Sequence, residues 1–388
     1  MDVIVCHRSV RLAAVLTLLL LAACSDPATG PAGPDGNAGG GVDAAVGDGG
    51  GVGDSSGDSG GAGGGRGDAG GPASDCSPAA RAKRSWSVLK EGTASGVWMA
   101  GALLADGTPL LVGGQANLGA IATLSGAELT TATIAQGPLL TWASVAADGT
   151  ALVVGNGRRA LWRTAAGVWS EEELPGGDKL WGCLQFSKDD AWAVGADEPT
   201  KDQFVPVVLR RTASGWSKAS LPTLSKSRAQ AQVFKIDGHD PNDVLAVGDT
   251  GLALRWDGKA WTEEETGVDA NLVTVRKLPG GAYVAVGGTA AGLVMTRKDT
   301  GGWSKLHQPM VGVSGVDVFG DQLIVAGNYG WIEHVALADG KAVEVDELLT
   351  TDVLHFVLRL PDCGALAGGG NLQVWPNPMQ GTLLRFGP

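Results

Sequence analysis

Side chains able to do bond-making chemistry are sparse in this sequence, and their spacing excludes more than it suggests. Beyond the amino terminus there are four histidines, His239, His307, His334 and His355, scattered through separate stretches of the chain. No His-Glu-x-x-His, Cys-x-x-Cys, Gly-x-Ser-x-Gly or Walker spacing occurs. The zinc-hydrolase, dithiol, serine-hydrolase and nucleotide chemistries that need those geometries therefore have no foothold. Of the two tyrosines, Tyr283 lies in an apolar run suited to packing, whereas Tyr329 sits in the turn Gly327-Asn328-Tyr329-Gly330. Asp237, His239, Asp240 and Asp243 crowd a single turn. Such oxygens can hold calcium, but they equally form hydrogen-bonded Asx turns, the reading adopted here. Glu171-Glu172-Glu173 and Glu263-Glu264-Glu265 read as solvated charge that keeps outer strand edges from pairing. No metal and no cofactor is expected.

The elements that carry these residues are set by one repeat. An apolar strand ends in glycine at Leu111-Val112-Gly113, Val153-Val154-Gly155, Ala193-Val194-Gly195, Ala246-Val247-Gly248, Ala285-Val286-Gly287, Val325-Ala326-Gly327 and Leu366-Ala367-Gly368. The glycines lie 42, 40, 53, 39, 40 and 41 residues apart, which is a propeller period. Each copy has an apolar strand, a polar turn such as Asp148-Gly149, the Val-Gly strand, a third strand and a fourth that often opens with Trp. Four short strands make one blade. The fold class expected is all-β, a seven-bladed β-propeller over residues 76–388. The last copy stops after its third strand, and the missing Trp-Ser strand occurs upstream as Ser85-Trp86-Ser87-Val88-Leu89. Residues 84–90 are therefore expected to complete the last blade and remove the open edge of the ring.

Within that frame the best ligand-binding candidates are aromatic. Trp98, Trp142 and Trp181 open the innermost strand of three consecutive copies, 15, 13 and 14 residues before the repeat glycine. They either form one wall at the mouth of the central channel or pack between blades. Arg158, Arg159, Tyr329 and Trp331 lie in second-turn loops expected on the same face, where indole and phenol rings beside polar loops suit a sugar, a peptide or a protein.

The amino terminus has a basic start at His7, Arg8 and Arg11, then an apolar run from Leu12 to Leu21 that is short for a membrane span. The run ends in Leu21-Ala22-Ala23-Cys24. This resembles the bacterial lipobox, which implies that residues 1–23 are a signal peptide and that the Cys24 thiol receives a diacylglyceryl group. For such lipoproteins Ser25 after the cysteine implies an outer-membrane address. Residues 25–75 contain 20 Gly and 8 Asp and no Leu, Ile, Phe, Tyr or Trp. They are expected to be a disordered linker with a reach of roughly 40 Å. The collagen-like Gly30, Gly33, Gly36 and Gly39 spacing and the Arg66-Gly67-Asp68 triplet inside it are products of composition. The formal charge of −12 is drawn largely from this linker and leaves the propeller about −6, which argues against nucleic acid.

The copies at Phe186 to Trp216 and Gly281 to Trp303 resemble Asp-box, or bacterial-neuraminidase-type, repeats, most nearly propellers of the photosystem II assembly-factor type. The full Ser-x-Asp-x-Gly-x-x-Trp signature is nowhere intact. Sialidases on this fold use an arginine cluster with a tyrosine, and no arginine triad accompanies Tyr329. The expectation is a monomeric, lipid-anchored envelope protein whose propeller binds or scaffolds a protein, peptide or glycan without catalysis. A carbohydrate-active enzyme of sialidase or lyase type is the alternative. Export permits a disulfide, and Cys76 and Cys363 map to the same face of the last blade, so they are expected to form a clasp. Cys183 then falls on an inner strand as a buried thiol. Alkylation of the unreduced protein should leave Cys76 unlabelled; a labelled Cys76 removes the clasp.

Overall fold

The computed structural model describes residues 81–134, 137–346, 348–372 and 379–388. The expected signal peptide, Cys24, the expected linker and Cys76 lie outside these residues. Seven four-stranded antiparallel sheets form the seven blades, numbered one to seven in chain order. The innermost strands are Val97–Leu103, Leu140–Val145, Lys179–Ser187, Val233–Asp240, Leu272–Lys277, Val313–Phe319 and Leu354–Arg359. Each packs against the next, and the first against the last, so they enclose a central channel. In blade seven the outermost strand is Ser85–Thr93, paired with Gly381–Gly387 through Trp86 opposite Phe386 and Val88 opposite Leu384. The upstream strand thus closes the ring, as its Trp-Ser pattern requires.

The repeat glycine has a steric cause. Every innermost strand is bulged just after its residue opposite that glycine, for example between Leu140 and Trp142 opposite Gly155 and Val154. The bulge turns the preceding carbonyl onto the glycine. A Cβ on Gly113, Gly155, Gly195, Gly248, Gly287, Gly327 or Gly369 would stand 1.8–2.2 Å from that oxygen. In five blades the amide after the glycine donates to the same oxygen, at 2.9–3.1 Å, and holds it there. In blade seven the residue in this role is Gly369, opposite Leu354, and not Gly368. Gly368 is small for another reason: the Phe356 ring lies 2.4 Å from where its Cβ would be.

Side chains from one blade satisfy the next. An innermost strand is a sheet edge, and its channel-side amides have no strand partner. The amide of Lys277 donates to Asp237 at 2.8 Å, that of Arg359 to Asp317 at 2.8 Å, and that of Gln185 to Ser144 Oγ at 3.1 Å. These links join blades four to five, six to seven and two to three. Two of the same interfaces are clamped again at the periphery. Glu172 accepts from Arg211 Nε (3.0 Å), Trp216 Nε1 (2.9 Å) and Trp162 Nε1 (3.1 Å). Glu264 accepts from both faces of the Arg297 fork (2.7 and 2.6 Å) and from Trp303 Nε1 (3.0 Å). The middle glutamate of each triplet is therefore an inter-blade acceptor rather than solvated edge charge. A carboxylate that accepts from a bidentate guanidinium and an indole is far stronger than an exposed pair.

Between blades three and four the position of Glu172 is taken by Ala219 and that of Arg211 by Trp256, and the contact is apolar. Trp192, Trp256 and Trp261 pack with ring centroids 5.2–5.7 Å apart, and the Arg210 guanidinium lies 4.1 Å over Trp192. Cys183 is buried with its Sγ donating to the Leu152 carbonyl. Cys363 is disulfide-bonded; its expected partner, Cys76, lies outside the described residues.

Gly287→Ala places a methyl group on the Asn271 carbonyl and should cost about 3 kcal/mol. It should lower the urea midpoint at unchanged slope. A stability equal to wild type contradicts the steric account of the repeat.

Candidate functional site

The innermost strands start on one face of the ring, shared with the loops between second and third strands and the crossings from each blade to the next. This is the entry face. The tight turns between first and second and between third and fourth strands make the opposite, turn face.

The bulge decides where the three tryptophans go. Trp98 is opposite the repeat glycine, Trp181 is on the bulge and Trp142 is one residue beyond it. They therefore do not form one wall. Trp98 is fully buried between blades one and seven, its Nε1 donating to Thr93 Oγ1 at 3.1 Å. Trp142 crosses the channel: its ring lies 4.4 Å from Lys235 Nζ of blade four and 5.1 Å from Arg276 Cζ of blade five. Trp181 alone reaches the mouth, half-buried, its Nε1 on Gln232 Oε1 (2.9 Å) and its ring edge-on to Phe234 at 6.1 Å. The glycine spacing of 15, 13 and 14 residues already encodes these three registers.

The channel is plugged. Lys235, buried beside Trp142, donates to the Trp181 carbonyl. Desolvation, with Arg276 adding repulsion, pulls its ammonium down to about 7. Arg276 is buried too, 3.9 Å from Asp317. Aromatic faces attract cations most strongly where water is excluded, so one indole screens two cations held close together. Above them Val97, Met99 and Leu139 form an apolar cluster with Trp181, Leu372 and Met379 packed against it. Lys235 and Arg276 are the site residues that sequence reasoning missed, although a cation in an otherwise apolar inner strand was a usable signal.

The remaining candidates are not brought together. Arg158 pairs with Asp178 (2.7 Å) and Arg159 with Glu171 (2.6 and 2.5 Å), both in blade two. Tyr329 and Trp331 belong to blade six, across the ring; Trp331 Nε1 donates to Glu333 (3.2 Å), and Tyr329 is exposed.

Groups that could have been catalytic serve packing. The Tyr283 hydroxyl is buried and donates to Asp243 Oδ1 at 2.7 Å, and burial pushes the phenol well above its ordinary range. Asp243 also pairs with Arg255 and Lys277. Asp237 accepts from the Lys277 amide of the next blade, and Asp240 from the Asn242 amide within the turn (2.7 Å), so both carboxylates already hold protein donors. Among the described residues no group of three or more His, Cys, Asp or Glu is placed to hold a metal. His334 Nε2 accepts from Trp86 Nε1 (3.3 Å), linking the closing strand to blade six, and burial lowers the imidazole to about 4. His355 lies at the channel, its Nε2 donating to the Gly370 carbonyl (2.9 Å), and desolvation lowers it to about 4 as well.

No protein-family model and no curated relative matches the sequence. Solved structures do. Virginiamycin B lyase from Staphylococcus aureus is 14% identical, with 79% of this chain and 100% of that chain covered at a TM-score of 0.58. YCF48 bound to D1 peptide is 15% identical, covering 83% and 98% at 0.55. The WD40 repeats of RRP9 are 9% identical, covering 78% and 97% at 0.59. The likeness is one of fold.

His334 and His355 are neutral in the folded ring at pH 7 and titrate near 6.5 once unfolded. The unfolded chain binds more protons between about pH 4 and 6.5, so stability is full above that window and falls as pH drops through it. A shift of this size is worth about 3 kcal/mol for His334. Urea unfolding from pH 7 to 4.5 should show the loss, and His334→Gln, which keeps an acceptor for Trp86, should remove about half of it. A variant with the wild-type slope contradicts a neutral His334.

Proposed function

We propose that this chain is an exported lipoprotein, held in the outer membrane through lipidated Cys24. Its propeller, of degenerate Asp-box type, is a non-catalytic module that binds or scaffolds an envelope protein, a peptide or a glycan. The observation that carries the binding reading is the use made of the reactive groups. Tyr283, Glu172, Glu264, His334 and Lys235 are each committed to a neighbouring blade or to the channel plug.

A rigid ring with a filled channel presents its loops and little else. That favours recognition on the entry face, where Trp181 and Phe234 flank the channel mouth and loop lengths differ most between blades. Among the fold neighbours one is a lyase and another is YCF48 bound to D1 peptide. A ring of this type thus supports either role, and the locked side chains favour the second. The sialidase or lyase alternative needs arginines and carboxylates converging on one substrate. Arg158 and Arg159 instead spend their charge on Asp178 and Glu171 within their own corner of the face.

Cells expressing the full chain should incorporate labelled palmitate and retain the protein in the outer-membrane fraction. Cys24→Ala should lose both the label and the membrane association. Equal labelling of the two forms, or a wild-type protein found unlabelled and soluble, contradicts the anchor.

A further inference from the structure

The residue on the bulge of each innermost strand is, in blade order, Met99, Thr141, Trp181, Phe234, Val273, Ser314 and His355. In blades one and two that residue is buried, Met99 in the cluster with Leu139 and Met379, and Thr141 with its hydroxyl on the Leu180 carbonyl (2.6 Å). In blades three to seven it is half-buried, although the residues before and after it are buried in every case. The bulge thus turns one side chain per blade to the channel mouth. The apolar plug covers the first two, and the other five line a cup open to solvent.

Lys235 lies at the floor of this cup. It follows Phe234 in the strand, and its Nζ donates to the Trp181 carbonyl. Its charge is felt on the far wall, where desolvation first and Lys235 after it lower the His355 imidazole. Three of the five cup residues therefore border the ammonium.

That ammonium is short of anions. It has three donors and places one, on the Trp181 carbonyl, while Trp142 offers a ring face at 4.4 Å and no acceptor atom. Among the described residues no carboxylate pairs with Lys235, and the charge beside it is a second cation, Arg276, over the same indole. Asp317, 3.9 Å from Arg276, also holds the amides of Val318 and Arg359. Carboxylates of the entry face have other donors: Asp249 holds the Gln232 amide, Asp352 the side chains of Asn371 and Thr382, and Asp178, Asp197 and Glu198 their own ion pairs. A buried charge without a counter-charge is costly, so the floor of the cup favours an anion.

The walls add a second requirement. Trp181 and Phe234 meet edge-on at 6.1 Å, and Val273 follows them around the ring, so one side of the cup is apolar. An apolar lining around a few polar groups is the usual form of a small-molecule site. A ligand that satisfies both features carries a carboxylate on an apolar body. Its oxygens accept from Lys235 in a charge-assisted hydrogen bond, and its ring or alkyl group lies against the indole and the phenyl.

We propose that the cup at the channel mouth binds a small organic acid, with its carboxylate on Lys235 and its apolar body against Trp181 and Phe234. This goes beyond the binding reading, which concerns a macromolecule on the same face, and it does not depend on the anchor.

The test is calorimetry on the detergent-solubilised full chain with phenylacetate and hexanoate, and with their neutral amides. Each acid should fill one site per chain and bind at least about tenfold more tightly than its amide, the margin of a hydrogen bond between charged groups. Lys235→Met should lose that margin, and Trp181→Ala should weaken acid and amide alike. Because methionine removes a desolvated charge, Lys235→Met should melt no lower than wild type. Were that variant not to fold, the acid–amide comparison on wild type and on Trp181→Ala still decides. Equal binding of acid and amide, acid binding unchanged by Lys235→Met or by Trp181→Ala, or no binding of either acid overturns the site and leaves the macromolecular reading standing. Chloride or phosphate bound in place of the acids, and lost on Lys235→Met, overturns the organic body in favour of an inorganic anion.

Discussion

A carbonyl oxygen at the start of each innermost strand stands where the Cβ of a residue near the end of the second strand would be, and seven glycines accommodate it. The bulge behind this contact turns each inner strand so that its next side chains reach the neighbouring blade. Asp237, Asp317 and Ser144 can then satisfy amides that face the channel without a strand partner. Unsatisfied edge amides in a closed ring would each carry a desolvation cost of about 1–3 kcal/mol. The glycine is thus a condition for inter-blade hydrogen bonding, and the forty-residue period is its trace in the sequence.

That contact also explains how much was legible. The apolar strand ending in glycine, its seven copies and the displaced Trp-Ser strand gave the blade number and the closure, because those features arise from local sterics and from strand count. In blade seven the run Gly368-Gly369-Gly370 hid which glycine plays the part, since pairing with Leu354 rather than composition selects Gly369. The tryptophans were legible as inner-strand residues but not as a site. A one-residue bulge sends side chains with nearly equal spacing into the core, across the channel and onto the rim. The glutamate triplets misled for a related reason. Nothing in a run of three carboxylates marks the middle one as facing Arg211 or Arg297 on the next blade.

The same interactions limit what the ring can do. Trp142, Lys235 and Arg276 fill the channel from three blades, and Trp86 on His334 joins the closing strand to blade six. Interfaces two–three and four–five are fastened at both the channel and the periphery, which leaves little freedom for one blade to move against another. Variation is confined to loops on the entry face, among them a charged corner over blades two and three and an aromatic mouth. A rigid frame with variable loops is how many binding proteins are built. The face is a sounder guide to function here than the fold, which serves a lyase and a peptide-bound protein alike.

Native-state hydrogen exchange tests the closed, mutually fastened ring most directly. Three channel-edge amides, those of Gln185, Lys277 and Arg359, and the paired amides of Ser85–Thr93 should exchange only through global unfolding, with one shared free energy and one shared denaturant dependence. Exchange of Ser85–Thr93 through a separate opening of lower energy, with the channel-edge amides still protected, would contradict a ring whose closing strand and inner strands form a single cooperative unit.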